Sequence, residues 1–315
     1  MIFNPFIFSC ILLSVFLVMP AAGLQAQEIS LSLCPAKHLY TITSDFQNPS
    51  DVVAGKNNKV YVLDGVNNRV KVFNQQGTDL FSFGGAGTGK GRFNFPLGIG
   101  IDRADRIFVA DSGNHRVQVF TPGGEYLFQF STETQHRQIK PSDPTDVVVE
   151  SRLNKCFMVD NDNHWIFAYD LGTRKPSGIY GTMGMEKNEF RFPFFLDMDQ
   201  EGNLYVVEVI NTRVQVLNPQ GDYITTIGGW GVEKGEFYRP KGVAVDAKNR
   251  VFVSDSYLEV IQVFSRDGTF LSILGNEEGS IARFVTPTGI FIDQQMRLYV
   301  VEMQANRVAV MQLDN

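Results

Sequence analysis

PLGIGIDRADRIFVADSGNHRVQVF, residues 96–120, is three short apolar runs parted by polar turns, with Asp111, Asn114 and Arg116 gathered at one of them. The runs are too short for helices and rich in β-branched and aromatic residues, so they read as strands. The pattern recurs along the chain. A proline opens each copy, at Pro49, Pro96, Pro144, Pro193, Pro240 and Pro287, in steps of 47, 48, 49, 47 and 47 residues. An acid closes the second run of each copy, at Asp64, Asp111, Asp160, Glu208, Asp255 and Glu302. Five residues further on stand Arg69, Arg116, Trp165, Arg213, Val260 and Arg307. Two markers keeping one period in the forties define a strand-built repeat, with the spacing of a propeller blade.

Segments such as VYVLD, IFVAD, LYVVE and VFVSD are apolar on both alternating faces. A sheet with one wet face would alternate; strands packed on both sides need not. The repeat resembles the NHL family, most plainly in Pro240-Lys241-Gly242-Val243-Ala244-Val245-Asp246 and in Asp111-Ser112-Gly113-Asn114-His115-Arg116-Val117-Gln118-Val119-Phe120. The resemblance covers roughly residues 38 to 313 and implies an all-β fold, a six-bladed β-propeller of four-stranded blades. The last copy ends at Leu313 without an outer strand of its own. The segment His38-Leu39-Tyr40-Thr41-Ile42-Thr43 is similar to the outer strand near Tyr223, so the propeller is expected to be closed by an N-terminal strand, which would remove two open edges.

The domain reading is a signal peptide over residues 1–26, a leader over 27–37 and the propeller over 38–315. The apolar core from Phe6 to Met19 is short for a membrane span, and small residues follow it up to Ala26. The expected location is therefore exported, periplasmic or extracellular, with no membrane-embedded part once the signal is cleaved. The net charge of −6 argues against nucleic acid as a partner. Cys156 occupies a strand position held elsewhere by Val60 or Ile107, and Cys34 lies before the first blade, so no disulfide is expected between them. The run Gly84 to Gly91 nearly spells a phosphate-binding loop. Gly91 replaces the required hydroxyl residue, however, and the run has counterparts ending at Phe190, Phe237 and Phe284, so it reads as a linker. A polar, irregular loop, Ser131 to Gln138, stands out as a recognition loop.

The acid and arginine of each copy read as an ion pair bracketing a tight turn. Asn67, Asn114, Asn163 and Asn211 suit the turn conformations that asparagine tolerates. The next position varies: Asn68, His115, His164, Thr212, Glu259 and Asn306. These six are expected to share one propeller face and are the candidate partner-binding residues; two histidines with a carboxylate could hold a metal, but surface polarity is the preferred reading. Two residues after the prolines come Asp51, Gly98, Asp146, Phe195, Gly242 and Gly289. Glycine suits a crowded axis. Asp51 and Asp146 depart from it and join the candidate list at the channel mouth, with Asp197 deeper; such carboxylates could cap turns, bind a cation or serve acid–base chemistry. Trp230, Tyr238 and Tyr257 are candidate aromatic contacts, whereas Phe192, Phe194 and Phe195 read as packing.

The function expected is a binding or scaffolding module for a protein or small-molecule ligand on one face, with no cofactor, metal or catalytic residue assigned. The alternative is a metal-dependent lyase or lactonase-like enzyme at the axis, as in some similar propellers. None of the four histidines, at 38, 115, 136 and 164, falls on a strand position facing the axis, which weighs against it.

Overall fold

A computed structural model describes residues 32–131 and 140–314; the signal segment and most of the Ser131–Gln138 loop lie outside these. The fold is all-β, built from consecutive four-stranded antiparallel meanders. Unit 1 comprises Asp51–Ala54, Lys59–Asp64, Arg69–Asn74 and Asp79–Gly84. Unit 2 comprises Pro96–Ile101, Ile107–Asp111, Arg116–Phe120 and Tyr126–Ser131. Unit 3 runs through Pro144–Glu150, Lys155–Asp160, Trp165–Asp170 and Lys175–Tyr180. Unit 4 follows with Pro193–Met198, Leu204–Glu208, Arg213–Leu217 and Tyr223–Ile227. Unit 5 has Pro240–Val245, Val251–Asp255, Val260–Phe264 and Phe270–Gly275. Unit 6 has Pro287–Ile292, Arg297–Glu302 and Arg307–Leu313. The N-terminal strand Leu33–Thr43 pairs antiparallel with the last of these, from Ala36 opposite Leu313 to Thr43 opposite Arg307. Its first residues, Leu33 to Pro35, pair in parallel with Ile273 to Gly275 of unit 5.

The second and third strands are buried along most of their length, because each sheet is covered on both faces by its neighbours. Fourth strands such as Tyr126–Ser131 alternate between covered and exposed residues. Among the described residues the apolar side chains gather into clusters that each span two consecutive units, and one joins unit 6 to unit 1 through Val301, Val308, Val52 and Val62. The first strands touch in the same cyclic order. Fully burying one such Val or Phe contributes about 1.5–3 kcal/mol.

The linkers hold the units at a fixed spacing through one ring each. Phe93, Phe190 and Phe237 are fully buried. Each lies over a glycine with positive φ: a Cβ on Gly84 would sit 2.4 Å from Phe93, and one on Gly181 2.3 Å from Phe190. Only glycine meets both the left-handed backbone and the close approach. Gly84 to Gly91 leads through a bridge between Ala86 and Phe93 into the strand Pro96–Ile101, with no helix to face a phosphate. Cys34 and Cys156 are both buried free thiols. Among the described residues no helix is long and apolar enough to cross a membrane.

Candidate functional site

In a four-stranded meander the turn between the second and third strands lies at the same end as the linkers. That end carries the repeated acid. The acid and arginine are directly paired across the turn, as in Asp64 with Arg69, Asp111 with Arg116, Glu208 with Arg213 and Glu302 with Arg307, at 2.8, 2.7, 2.6 and 2.5 Å. Each acid also accepts a backbone N–H from the lead-in to its own unit: Gln47 to Asp64, Asn94 to Asp111, Asp143 to Asp160, Arg191 to Glu208, Tyr238 to Asp255 and Val285 to Glu302, at 2.7–3.1 Å. Asn67, Asn114, Asn163 and Asn211 donate their side-chain amides to the acid. The left-handed residue of the turn is the next one instead.

That residue is the variable position: Asn68, His115, His164, Thr212, Glu259 and Asn306 all have φ between 50° and 61°. Several of these side chains reach the following unit. Asn68 Oδ1 accepts the Phe95 N–H at 2.8 Å, His164 Nδ1 accepts the Phe192 N–H at 3.1 Å, and Asn306 Oδ1 accepts the Asn48 N–H at 2.8 Å. His115 Nδ1 faces the Ser142 carbonyl. Glu259 and Asn306 are exposed, Asn68 and His115 half-buried, His164 and Thr212 buried. The six share one end of the sheets, and Asn68, His115, His164 and Asn306 also tie neighbouring units together.

The same end bears large exposed apolar side chains over units 4 and 5. Trp230 is 75 % exposed and Tyr257 58 %. Tyr257 stacks on Tyr238 with ring centroids 4.0 Å apart. Ile210, Met183 and Met185 are exposed at this end too, the methionine linker being tied to the unit 4 turn by Asn211 and Arg213. Phe192 is partly exposed and meets the His164 ring edge-on; only Phe195 of its trio is fully buried. Phe95, 64 % exposed, is a residue that sequence reading passed over. Its signal was its place immediately before a phase proline, where Phe95 and Phe192 take positive φ.

The axis is the second site. Asp51, Asp146 and Asp197 line a cavity of about 210 Å³ with Gly100, Val147 and Leu196. Each aspartate reaches the first strand of the next unit: Asp51 accepts the Ile99 N–H at 2.9 Å, Asp146 that of Leu196 at 2.9 Å, and Asp197 that of Val245 at 2.7 Å. Asp51 and Asp146 also accept the N–H of the residue that follows each of them. Burial pushes Asp51 up to about 8 and Asp197 to about 7; burial and then the Asp51 charge hold Asp146 well above the usual carboxylate range. The glycines at the equivalent positions are there for space: a Cβ on Gly98 would lie 2.5 Å from Asp146 Oδ1, and one on Gly289 2.3 Å from Asp51 Oδ1. Among the described residues no three His, Cys, Asp or Glu side chains are grouped to hold a metal ion.

A family model described as NHL repeat matches residues 46–73 and 93–120, the second copy taking in the stretch that set the period. Those two segments are NHL repeats. A search of curated proteins finds no match. Among solved structures, the chain is similar to a gluconolactonase from Xanthomonas campestris, with a TM-score of 0.67 and 14 % identity over 90 % of this chain and 96 % of that one. A streptogramin B lyase superposes with a TM-score of 0.60 at 14 % identity, over 87 % and 98 % of the two chains. A Bacteroides thetaiotaomicron protein of unknown function gives 0.64 at 16 % identity, over 90 % and 74 %. At these identities the likeness is one of propeller-type fold.

Proposed function

We propose that this chain is an exported, six-bladed NHL propeller, closed by its N-terminal strand, that binds a protein partner on the face formed by its linkers and second-to-third-strand turns. The observation that carries the reading is the run of exposed apolar side chains on that face, Met183, Ile210, Trp230, Tyr238 and Tyr257, with Phe95 further round. Large apolar side chains exposed together at one end of a fold mark interaction sites, and aromatic side chains dominate the energetic centres of interfaces. Asn68, His115, Glu259 and Asn306 supply polar contacts around it, while His164 and Thr212 hold the turns that present it. The ring reading draws on the cyclic contacts of the first strands and on the cluster joining unit 6 to unit 1. The test is a photo-crosslinking side chain placed at Trp230 in native cells, with Leu80 on an outer strand as control. Discrete adducts at position 230 and none at position 80 are expected; equal labelling at both overturns the choice of face.

A second reading, a lyase or lactonase-like enzyme at the axis, is favoured by one observation: carboxylic acids held protonated near neutral pH beside a cavity are poised as proton donors. In that reading Asp146 and Asp51 donate protons to bound substrate. Absence of turnover with lactones and cyclic depsipeptides by the purified protein sinks it.

A further inference from the structure

Three of the six third strands carry a glutamine that pins the linker, where units 1 and 3 have Lys71 and Phe167. In units 2, 4 and 5, Gln118, Gln215 and Gln262 accept N–H groups from Gly91, Asn188 and Gly235 at 2.9, 3.1 and 2.9 Å. Their amides donate to the carbonyls of Arg92, Glu189 and Glu236 at 2.6, 2.7 and 2.6 Å. The neighbouring arginine does the same work. Arg116 donates to the Gly89 and Arg92 carbonyls, and Arg213 to those of Met185, Glu186 and Glu189.

Unit 6 breaks this arrangement. Ala309 stands where the glutamine would be. Arg307 forms a two-pronged pair with Glu302, at 2.5 and 2.9 Å, and meets no linker carbonyl among the described residues. Its side chain is 43 % exposed, against 9 % for Arg116 and 16 % for Arg213. The space that opens is a cavity of about 290 Å³ lined by His38, Arg283, Phe284, Glu302, Arg307 and Ala309. His38 comes from the N-terminal strand, which only unit 6 possesses. Glu302 is already engaged by Arg307 and by the Val285 N–H. Arg283 donates to the Leu258 carbonyl at 2.6 Å, a neutral acceptor, which leaves its charge without an acid among the described residues. The cavity is thus lined by more cationic than anionic groups in a chain whose net charge is −6.

We propose that this cavity binds a carboxylate-bearing ligand, whose oxygens lie against Arg283 and the outer edge of the Arg307 guanidinium in the space that glutamine fills elsewhere. Arginine suits this chemistry because its planar donors match a carboxylate. The carboxylate belongs either to a small free acid or to an acidic peptide segment. Calorimetric titration of the protein with glutarate, with a pentaglutamate peptide and with neutral glutaramide tests the proposal and separates the two sources. Saturable binding of glutarate or of the peptide, with glutaramide at least tenfold weaker, is expected. Ala309→Gln restores the side chain native to three other units; it should melt no lower than the parent and weaken binding at least tenfold. Arg283→Met should weaken it similarly. Undiminished affinity in either variant, equal binding of glutaramide, or no saturable binding of either acid overturns the proposal.

Discussion

Asp51, Asp146 and Asp197 perform at the axis a task that backbone ladders cannot, since first strands of adjacent units splay and share no ladder. Each carboxyl satisfies an N–H of its neighbour from 48 to 50 residues away. Losing such an acceptor would leave a buried donor unpaired, at about 1–3 kcal/mol. The aspartates do this at a cost that depends on pH. Their folded pKa values are raised, so the folded state keeps protons that the unfolded state releases. The stability they contribute is present below the ordinary carboxylate pKa and is lost as pH rises through about 7 for Asp197 and about 8 for Asp51. Asparagine keeps one of the two acceptor oxygens and cannot ionise, so the readout is the change of stability with pH and not its absolute level. The unfolding free energy of the double variant Asp51→Asn/Asp197→Asn should therefore run parallel to the parent's below about pH 4 and gain on it steadily between about pH 4 and 8, by on the order of 2 kcal/mol or more. A difference independent of pH would show that these carboxyls titrate normally.

The turn between second and third strands marks how far sequence alone carries. The acid and arginine were legible because geometry demands the same two chemistries in most units, and Asp111 with Arg116 is found as the spacing implied. The left-handed position was misplaced by one residue. Asparagine at 67, 114, 163 and 211 suggested positive φ, but its amide serves the acid, and the strained φ falls on whatever follows, even Glu259 and Thr212. That position varies because the turn constrains its backbone and the direction of its side chain, not its chemical identity. The axial aspartates were visible as departures from glycine. Their partners were not, because an N–H one unit away leaves no local mark. Exposure of Phe95 was hidden for a related reason: a phenylalanine before a strand reads as core, and only the positive φ before Pro96 turns it outward. Likewise Ala309 looks unremarkable until Gln118, Gln215 and Gln262 are seen to hold linkers.

At the scale of the whole molecule the N-terminal strand is, among the described residues, the one element whose sequence position and place in the sheet disagree. Ile42 is fully buried in the cluster between units 6 and 1, and Cys34 and Ala36 in that between units 5 and 6. Without the strand, Arg307–Leu313 and Phe270–Gly275 would each present an unpaired edge, a template for aggregation. Ala36 lies opposite Leu313, so residues 36–43 could follow residue 314 through a short turn and complete an ordinary four-stranded meander. Two variants separate the need for the strand from the need for its position in the chain. Deleting residues 32–43 should give an aggregating protein with a lowered melting point. A circular permutant that begins at residue 44 and carries 36–43 after a short glycine-containing turn should be monomeric by light scattering and melt within a few degrees of the parent. A deletion variant that stayed monomeric with an unchanged melting point would mean the packing of the six units on one another holds the fold without it. A permutant as defective as the deletion would instead assign the stabilisation to residues 32–35, whose pairing with unit 5 and burial of Cys34 the permutant gives up.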